Sequence, residues 1–385
     1  MIKVCILTSV HPPFDIRILH KEAKSLAKAG YDVTLVAQHD KEEIVDGIRI
    51  VPLPRPKNRF ERMTRTVWSA YRKALKINAD IYHFHDPELI PAGLLLKLFT
   101  KAKVIRDVHE DYSKVIRGKH YLSPWMRRFI ARVFSIFDEF TAKRFSSIVS
   151  ATPAIAKQFE KLNNNSVTIQ NFPILDELHT RETIPWKKRS NAVAYVGGIG
   201  LLRGTIEMVK AIRLASKKTD VHLMLAGDFS PQSLKEEIEL MDGWKQTEYL
   251  GYLSREKISR FLGNIKVGLV LFHPEPNHIS AQPNKLFEYM SSGIPVIASD
   301  FPLWRVIVES AGCGLLVNPM KPKEIADAVI YLLKNPEEAE EMGNRGRKAV
   351  VKKYNWGREE KKLLELYGGL AISRKGAKMK KHDLE

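Results

Sequence analysis

The chain has 385 residues, 44% of them apolar, enough for two ordinary domains with substantial cores. A formal net charge of +18 points to anionic partners: a nucleotide, nucleic acid or an acidic membrane surface. Cys5 and Cys313 sit in apolar contexts without metal-ligand spacing, the apolar runs are short and no secretory leader is visible. A disulfide scaffold, a transmembrane span and secretion are therefore not expected, and a reducing cytoplasmic compartment is.

Residues 4–7 read as a strand, 18–29 as a helix stopped by Gly30, and 31–37 as the next strand, a right-handed parallel unit. The loop between them lacks the glycine fingerprint of a dinucleotide fold, which argues against a nicotinamide enzyme. It carries His11, Asp15 and Arg17 at the end of a strand where open parallel sheets bind ligands; Asp15 and Arg17 equally suit a local ion pair. Residues 48–51 form another strand. Segment 55–76 then sets Arg55, Lys57, Arg59, Arg62, Arg65, Arg72, Lys73 and Lys76 against Glu61, on a broken apolar stripe of Met63, Val67, Trp68, Tyr71 and Leu75. It is either a solvated helix packed by Trp68 or a patch facing phosphate or anionic lipid. No RNA-binding module accompanies the charges.

Strands 80–85 and 104–110 each deliver a histidine and a carboxylate near their ends, among them His85 and His109. No compact ligand spacing supports a metal, and His109 suits a neutral imidazole beside a substrate hydroxyl or phosphate. Ser123-Pro124 opens a second basic amphipathic helix with Trp125, Phe129, Val133 and Phe137 beside Arg127, Arg128 and Arg132. Its aromatics either pack into the core or extend the positive surface of 55–76. Strands at 145–149 and 167–169 follow. The polar stretch up to residue 190 marks a domain boundary.

In the second half, strand 192–196 runs into Gly197-Gly198, and Arg203 precedes a helix from 206. The turn is a phosphate cradle or merely a tight corner. Further strands are expected at 221–226, 247–251, 267–272, 296–299 and 312–317. A polar loop, 273–283, leads into a helix over 284–290 that places Lys285 and Glu288 on nearby parts of one face, with Gly293 as its stop.

Taken with the Asp15-Ile16-Arg17 loop, segments 195–204 and 284–299, and 316–356 with its Gly343–Arg347 motif, the chain resembles the family 4 retaining glycosyltransferases. The resemblance covers residues 1–369. It implies the GT-B fold: α/β, two Rossmann-like domains whose parallel sheets face each other across a cleft. The expected layout is an acceptor domain over 1–175, a linker over 176–190 and a nucleotide-sugar domain over 191–355. A helix at 356–370 crosses back, and a basic disordered tail follows at 371–385. The resemblance implies donor binding by Gly197, Gly198, Arg203, Ser280, Asn284, Lys285, Leu286 and Glu288. His109, Arg203 and Lys285 are the catalytic group, with His11, Asp15, Arg17 and His85 on the acceptor side. Two positions depart from the family: Gly198 stands where an arginine is usual, and Ser280 replaces the first of two glutamates separated by seven residues, Glu288 being the second.

The expected activity is metal- and cofactor-free transfer of a sugar from a UDP- or GDP-sugar to a hydroxyl of a lipid-linked glycan, in surface polysaccharide or glycoconjugate synthesis. Peripheral contact with an anionic membrane, on the cytoplasmic side, and no nucleic-acid partner go with it. The alternatives are a noncatalytic nucleotide-sugar-binding or scaffold protein, for which Gly198 and Ser280 speak, and a nucleotide-sugar epimerase. A phosphorylase is disfavoured because no lysine-cofactor signature is present.

Overall fold

The computed structural model describes residues 1–119, 121–175, 177, 178 and 184–382, the side chains of 373–382 excepted. It divides into two units: Met1–Asn171 with Gly357–Glu385, and Phe172–Trp356.

The sheet of the first unit contains β1 (Lys3–Leu7), β2 (Asp32–Gln38), β3 (Glu43–Val45), β4 (Ile48–Leu53), β5 (Ile81–Phe84), β6 (Lys103–Val108), β7 (Ser147–Ser150) and β8 (Ser166–Thr168). Their spatial order is β3-β4-β2-β1-β5-β6-β7-β8. All neighbours pair in parallel except β3 and β4, an antiparallel hairpin at the edge. That hairpin is absent from the sequence reading, although Asp46 (φ 51°) and Gly47 (φ 79°) make the two-residue left-handed turn that such a pair signals. The central strands are buried on both faces and read as apolar runs, as parallel strands covered by helices do.

In the second unit the order is β11 (Thr247–Gly251), β10 (His222–Ala226), β9 (Ala192–Val196), β12 (Val267–Val270), β13 (Val296–Ser299) and β14 (Gly314–Val317), all parallel. The strand order reverses at β9, so the loop after β9 lies at the switch point where such sheets bind ligands.

The boundary between the units differs from the expected one. Phe172 belongs to the second unit because its ring packs on Phe287 (4.8 Å) and Tyr354 (5.4 Å). Within the segment read as a linker, Leu178 and Trp186 are buried in the cores of that unit. The rest of that reading lies partly outside the described residues, at 176 and 179–183. The last helix, Trp356–His382, also runs past 370. Lys, Arg and Ala dominate its end and no proline breaks it, a composition compatible with helix, while residues 383–385 of the expected tail lie outside the described residues.

Candidate active site

The glycine turn after β9 is built by backbone geometry. Gly197 adopts φ +117°, and a Cβ there would lie 3.4 Å from Lys285 Nζ. At Gly204, φ is +72° and a Cβ would meet the Leu271 carbonyl oxygen at 2.2 Å, so only glycine lets the Thr205–Ala215 helix start there. Arg203 thereby arrives directly ahead of the helix start, and its guanidinium lies over the Phe272 ring at 4.0 Å.

The Asn284–Ser291 helix supplies the other wall. No side chain caps its start, leaving first-turn amides to face an anion. Lys285 Nζ sits 3.6 Å from the Tyr195 ring centre and 5.3 Å from that of Phe272. Burial lowers the ammonium well below its usual range, Arg203 adds repulsion and Glu288 only partly opposes this. Among the described residues, neither Arg203 nor Lys285 is held in an ion pair. Two cations on aromatic rings, beside a glycine turn and an uncapped helix, form a site for a dianion.

Glu288 Oε1 accepts from Arg255 Nη1 at 2.7 Å, and Arg255 grips Glu177 through Nε (3.0 Å) and Nη2 (2.9 Å). Burial works against the Arg255 charge, but the two carboxylates outweigh it and the net shift is upward. Arg255, Tyr195 and Phe272 are members of this site that the sequence reading missed. Ser254, which caps the helix beginning with Arg255, pointed at the helix but not at the residue's role.

The remaining donor-side residues divide. Asn284 is exposed at the helix start. Gly198 is exposed, its carbonyl accepts from Tyr195 Oη at 2.7 Å, and a side chain there would start in open space. Ser280 ends the short Pro276–Ile279 helix and donates to the Pro276 carbonyl at 3.3 Å. The Leu286 side chain is fully buried in the core, because its helix position faces the sheet, so a donor contact there falls to its backbone.

In the first unit, Asp86 organises the loop after β1. One oxygen, Oδ2, accepts from Ser9 N (2.6 Å), Val10 N (3.1 Å) and Thr8 Oγ1 (2.8 Å). His11 Nδ1 lies 3.2 Å from Asp15 Oδ2, and Asp15 Oδ1 caps the following helix through Arg17 N (2.8 Å) and Ile18 N (3.0 Å). Burial raises the Asp15 carboxyl, but its bond to His11 prevails and holds it at about 2. The same contact raises His11 against the effect of burial.

Arg17 is corrected: it neither lines a surface nor pairs locally with Asp15. It is buried, with Nη2 on Asp107 Oδ2 (2.8 Å), Nε 2.9 Å from Glu22 Oε1, and Nη1 on the Ile169 carbonyl (2.8 Å). Two buried carboxylates draw the guanidinium inward. His85 is buried as well, and its Nδ1 lies 3.0 Å from His109 Nε2. His109 retains a partly exposed edge, with its ring 5.3 Å from that of His11. The fold also brings together Glu22, His83, His85 and Asp107, whose candidate ligand atoms all lie within 4.8 Å of one another. No sequence spacing announces this group, since its residues are dispersed along the chain and meet only in the fold, Glu22 from the helix after β1, His83 and His85 from the end of β5, and Asp107 from β6.

The family description "Glycosyltransferase Family 4" matches residues 17–172, and "Glycosyl transferases group 1" matches 176–349. The chain belongs to the family 4 glycosyltransferases and has the GT-B fold. An uncharacterised glycosyltransferase of Methanocaldococcus jannaschii is 21% identical over 95% of this chain and 97% of the relative. A phosphatidyl-myo-inositol mannosyltransferase of Mycobacterium leprae is 22% identical over 93% of this chain and 91% of its own. Among solved structures, sucrose-phosphate synthase from Thermosynechococcus elongatus superposes with a TM-score of 0.74 at 18% identity, covering 97% of this chain and 100% of that one. An Anabaena protein solved in complex with UDP and glucose gives 0.72 at 13% identity, covering 96% and 100%.

Proposed function

We propose that this glycosyltransferase moves a sugar from a UDP- or GDP-sugar to a hydroxyl of a lipid-linked glycan, with retention and without a metal. The observation that carries this reading is the pair of cations, Arg203 and Lys285, lodged on aromatic rings beside the Gly197 turn. The leaving diphosphate develops negative charge, and fixed cations in a partly dry site stabilise it without the reorganisation that water would need. They take the role a divalent ion otherwise plays. Glu288, oriented by Arg255, receives the ribose hydroxyls, while His109 faces the sugar and His11 and Asp15 the acceptor. The Anabaena relative's complex with UDP and glucose supports a nucleotide-sugar donor of this kind.

The membrane part rests on the Pro124–Ala142 helix. Trp125, Phe129, Val133, Ile136 and Phe140 fall on one face and are all exposed, Trp125 at 69% and Phe129 at 63%. Arg128 and Arg132 are exposed beside them. An apolar stripe flanked by arginines is the pattern of a helix lying in the headgroup region of an anionic bilayer. Arg59 of the other basic segment donates to Tyr121 Oη, just ahead of this helix, at 3.1 Å. Trp68 leans on the Tyr71 ring at 5.3 Å yet stays exposed, which supports the patch. No helix among the described residues is long and apolar enough to cross a membrane.

The test is a calorimetric screen of UDP- and GDP-sugars, followed by mass spectrometry of lipid-linked acceptors on phosphatidylglycerol vesicles. Transfer of one sugar mass is expected, with vesicle binding lost in Trp125→Ser/Phe129→Ser. Binding of none of the donors defeats the reading. Tight binding with donor left intact favours the noncatalytic alternative, for which the missing charges at Gly198 and Ser280 speak.

A further inference from the structure

The first unit gathers buried polar atoms that have no hydrogen-bond partner. Glu22 Oε2, His83 Nε2, His85 Nε2 and Asp107 Oδ1 are all in this state among the described residues. They come from the helix after β1, from the end of β5 and from β6. One buried unpaired polar atom is costly, and native folds hold few of them. Four residues that share the defect in one place point to a ligand they have in common.

The spacing says which kind. His85 Nε2 lies 3.6 Å from Glu22 Oε2, and His83 Nε2 lies 3.7 Å from Asp107 Oδ2. Both distances are too long for a hydrogen bond. They approach the edges of a tetrahedron drawn around one ion, which are roughly 3.3–3.6 Å for metal–nitrogen and metal–oxygen bonds of the usual length. One candidate ligand atom from each of the four residues fits within 4.8 Å of the others.

The second atom of each group is held from outside. His83 Nδ1 is 2.9 Å from Tyr367 Oη, and His85 Nδ1 is 3.0 Å from His109 Nε2. Glu22 Oε1 lies 2.9 Å from Arg17 Nε, and Asp107 Oδ2 accepts from Arg17 Nη2 at 2.8 Å. Metal-binding histidines and carboxylates are oriented by outer partners of this kind. Charge does not decide the matter. Arg17 against Glu22 and Asp107 leaves one negative charge, and a divalent ion leaves one positive. The assignment rests on the arrangement of donors.

We propose that Glu22, His83, His85 and Asp107 bind one divalent transition-metal ion, zinc by the chemistry of the donors. Two imidazole nitrogens and two carboxylate oxygens suit zinc, whereas magnesium and calcium take oxygen ligands. Four protein ligands leave no open position, so the site is structural: it ties the helix after β1 to β5 and β6. Arg203 and Lys285 belong to the other unit, and the ion has no part in their hold on a diphosphate.

The test uses the untagged full-length protein, with metal content measured by plasma mass spectrometry and cobalt as a spectroscopic stand-in for zinc. Wild type is expected to retain one zinc ion per chain. Dipicolinate should remove it and lower the melting temperature by roughly 10 °C, and added zinc should restore both. Cobalt in its place should show the strong visible bands of a four-coordinate ion. Glu22→Gln and His85→Gln should each lose the ion, while His222→Asn, at an exposed histidine of the other unit, should keep it. Absence of stoichiometric zinc, both as purified and after dialysis against micromolar zinc, overturns the proposal. So does an ion that stays bound in both cluster variants, the weak spectrum of six-coordinate cobalt, or a melting temperature that chelation leaves unchanged. Wild-type metal content and the cobalt spectrum decide the matter even if neither variant folds. Turnover is not a readout, so a failure of sugar transfer bears on the glycosyl-transfer reading alone.

Discussion

The two units treat positive charge in opposite ways. In the second, Arg203 and Lys285 rest on the rings of Tyr195 and Phe272, with no ion-pair partner among the described residues. In the first, Arg17 is enclosed by Glu22, Asp107 and the Ile169 carbonyl, and every branch of its guanidinium is engaged. One arrangement awaits an anion; the other is already satisfied. The difference separates a binding group from a structural one more clearly than residue type does, since all three are cations near a strand end or helix start.

The largest effect should come from breaking the satisfied side. Arg17→Met leaves Asp107 buried without its cation, and a loss of about 3–5 kcal/mol is expected in denaturant titrations. A stable Arg17→Met protein would mean that the cluster is not balanced by this residue. On the open side, Lys285→Ala should lower kcat/KM by roughly 10²–10³-fold while the empty protein melts no lower, since it removes an ammonium held at a disadvantage. Arg203→Ala should weaken UDP binding by about ten- to a hundredfold in calorimetry, with Arg203→Lys between it and wild type.

Gly198→Arg sharpens the comparison from the other direction. Its side chain starts in open space, so donor affinity should rise by about tenfold with little change in melting temperature. The smallest effect is a proton. With Lys285 depressed in the empty site and its ammonium form favoured by a diphosphate, UDP binding should take up at most about one proton. Affinity should then fall as pH rises through the depressed value. The sign for folding is opposite. Between that value and the usual 10.5 the unfolded chain binds more protons, so the empty protein gains stability as pH rises. Buffer-dependent calorimetric enthalpies measure the uptake, and its persistence in Lys285→Ala would assign it elsewhere.

Much of the fold was legible because parallel strands between helices are written locally. Apolar runs, the Ser254 cap and the Gly293 stop, which has φ +68°, located their elements within a few residues. Lys285 and Glu288 were legible as helix neighbours on a motif. Leu286 was not, since only packing tells which side of the helix meets the sheet. The first-unit cluster left one faint trace: His83 and His85, like Asp107 and His109, are two apart and so share a face of their strands.

The sequence by itself determined the alternation of strands and helices, the excess of positive charge and the family resemblance, all of which rest on neighbours within a few residues. The tertiary structure decided that Arg17 turns inward, that Arg255 holds Glu288, and that Glu22 meets His85 across the space between a helix and β5. It also decided that the aromatics of the Pro124–Ala142 helix face outward. These are pairings over long sequence separations. They are fixed by register, by which helix covers which sheet face, and by the cost of leaving a buried charge unpaired.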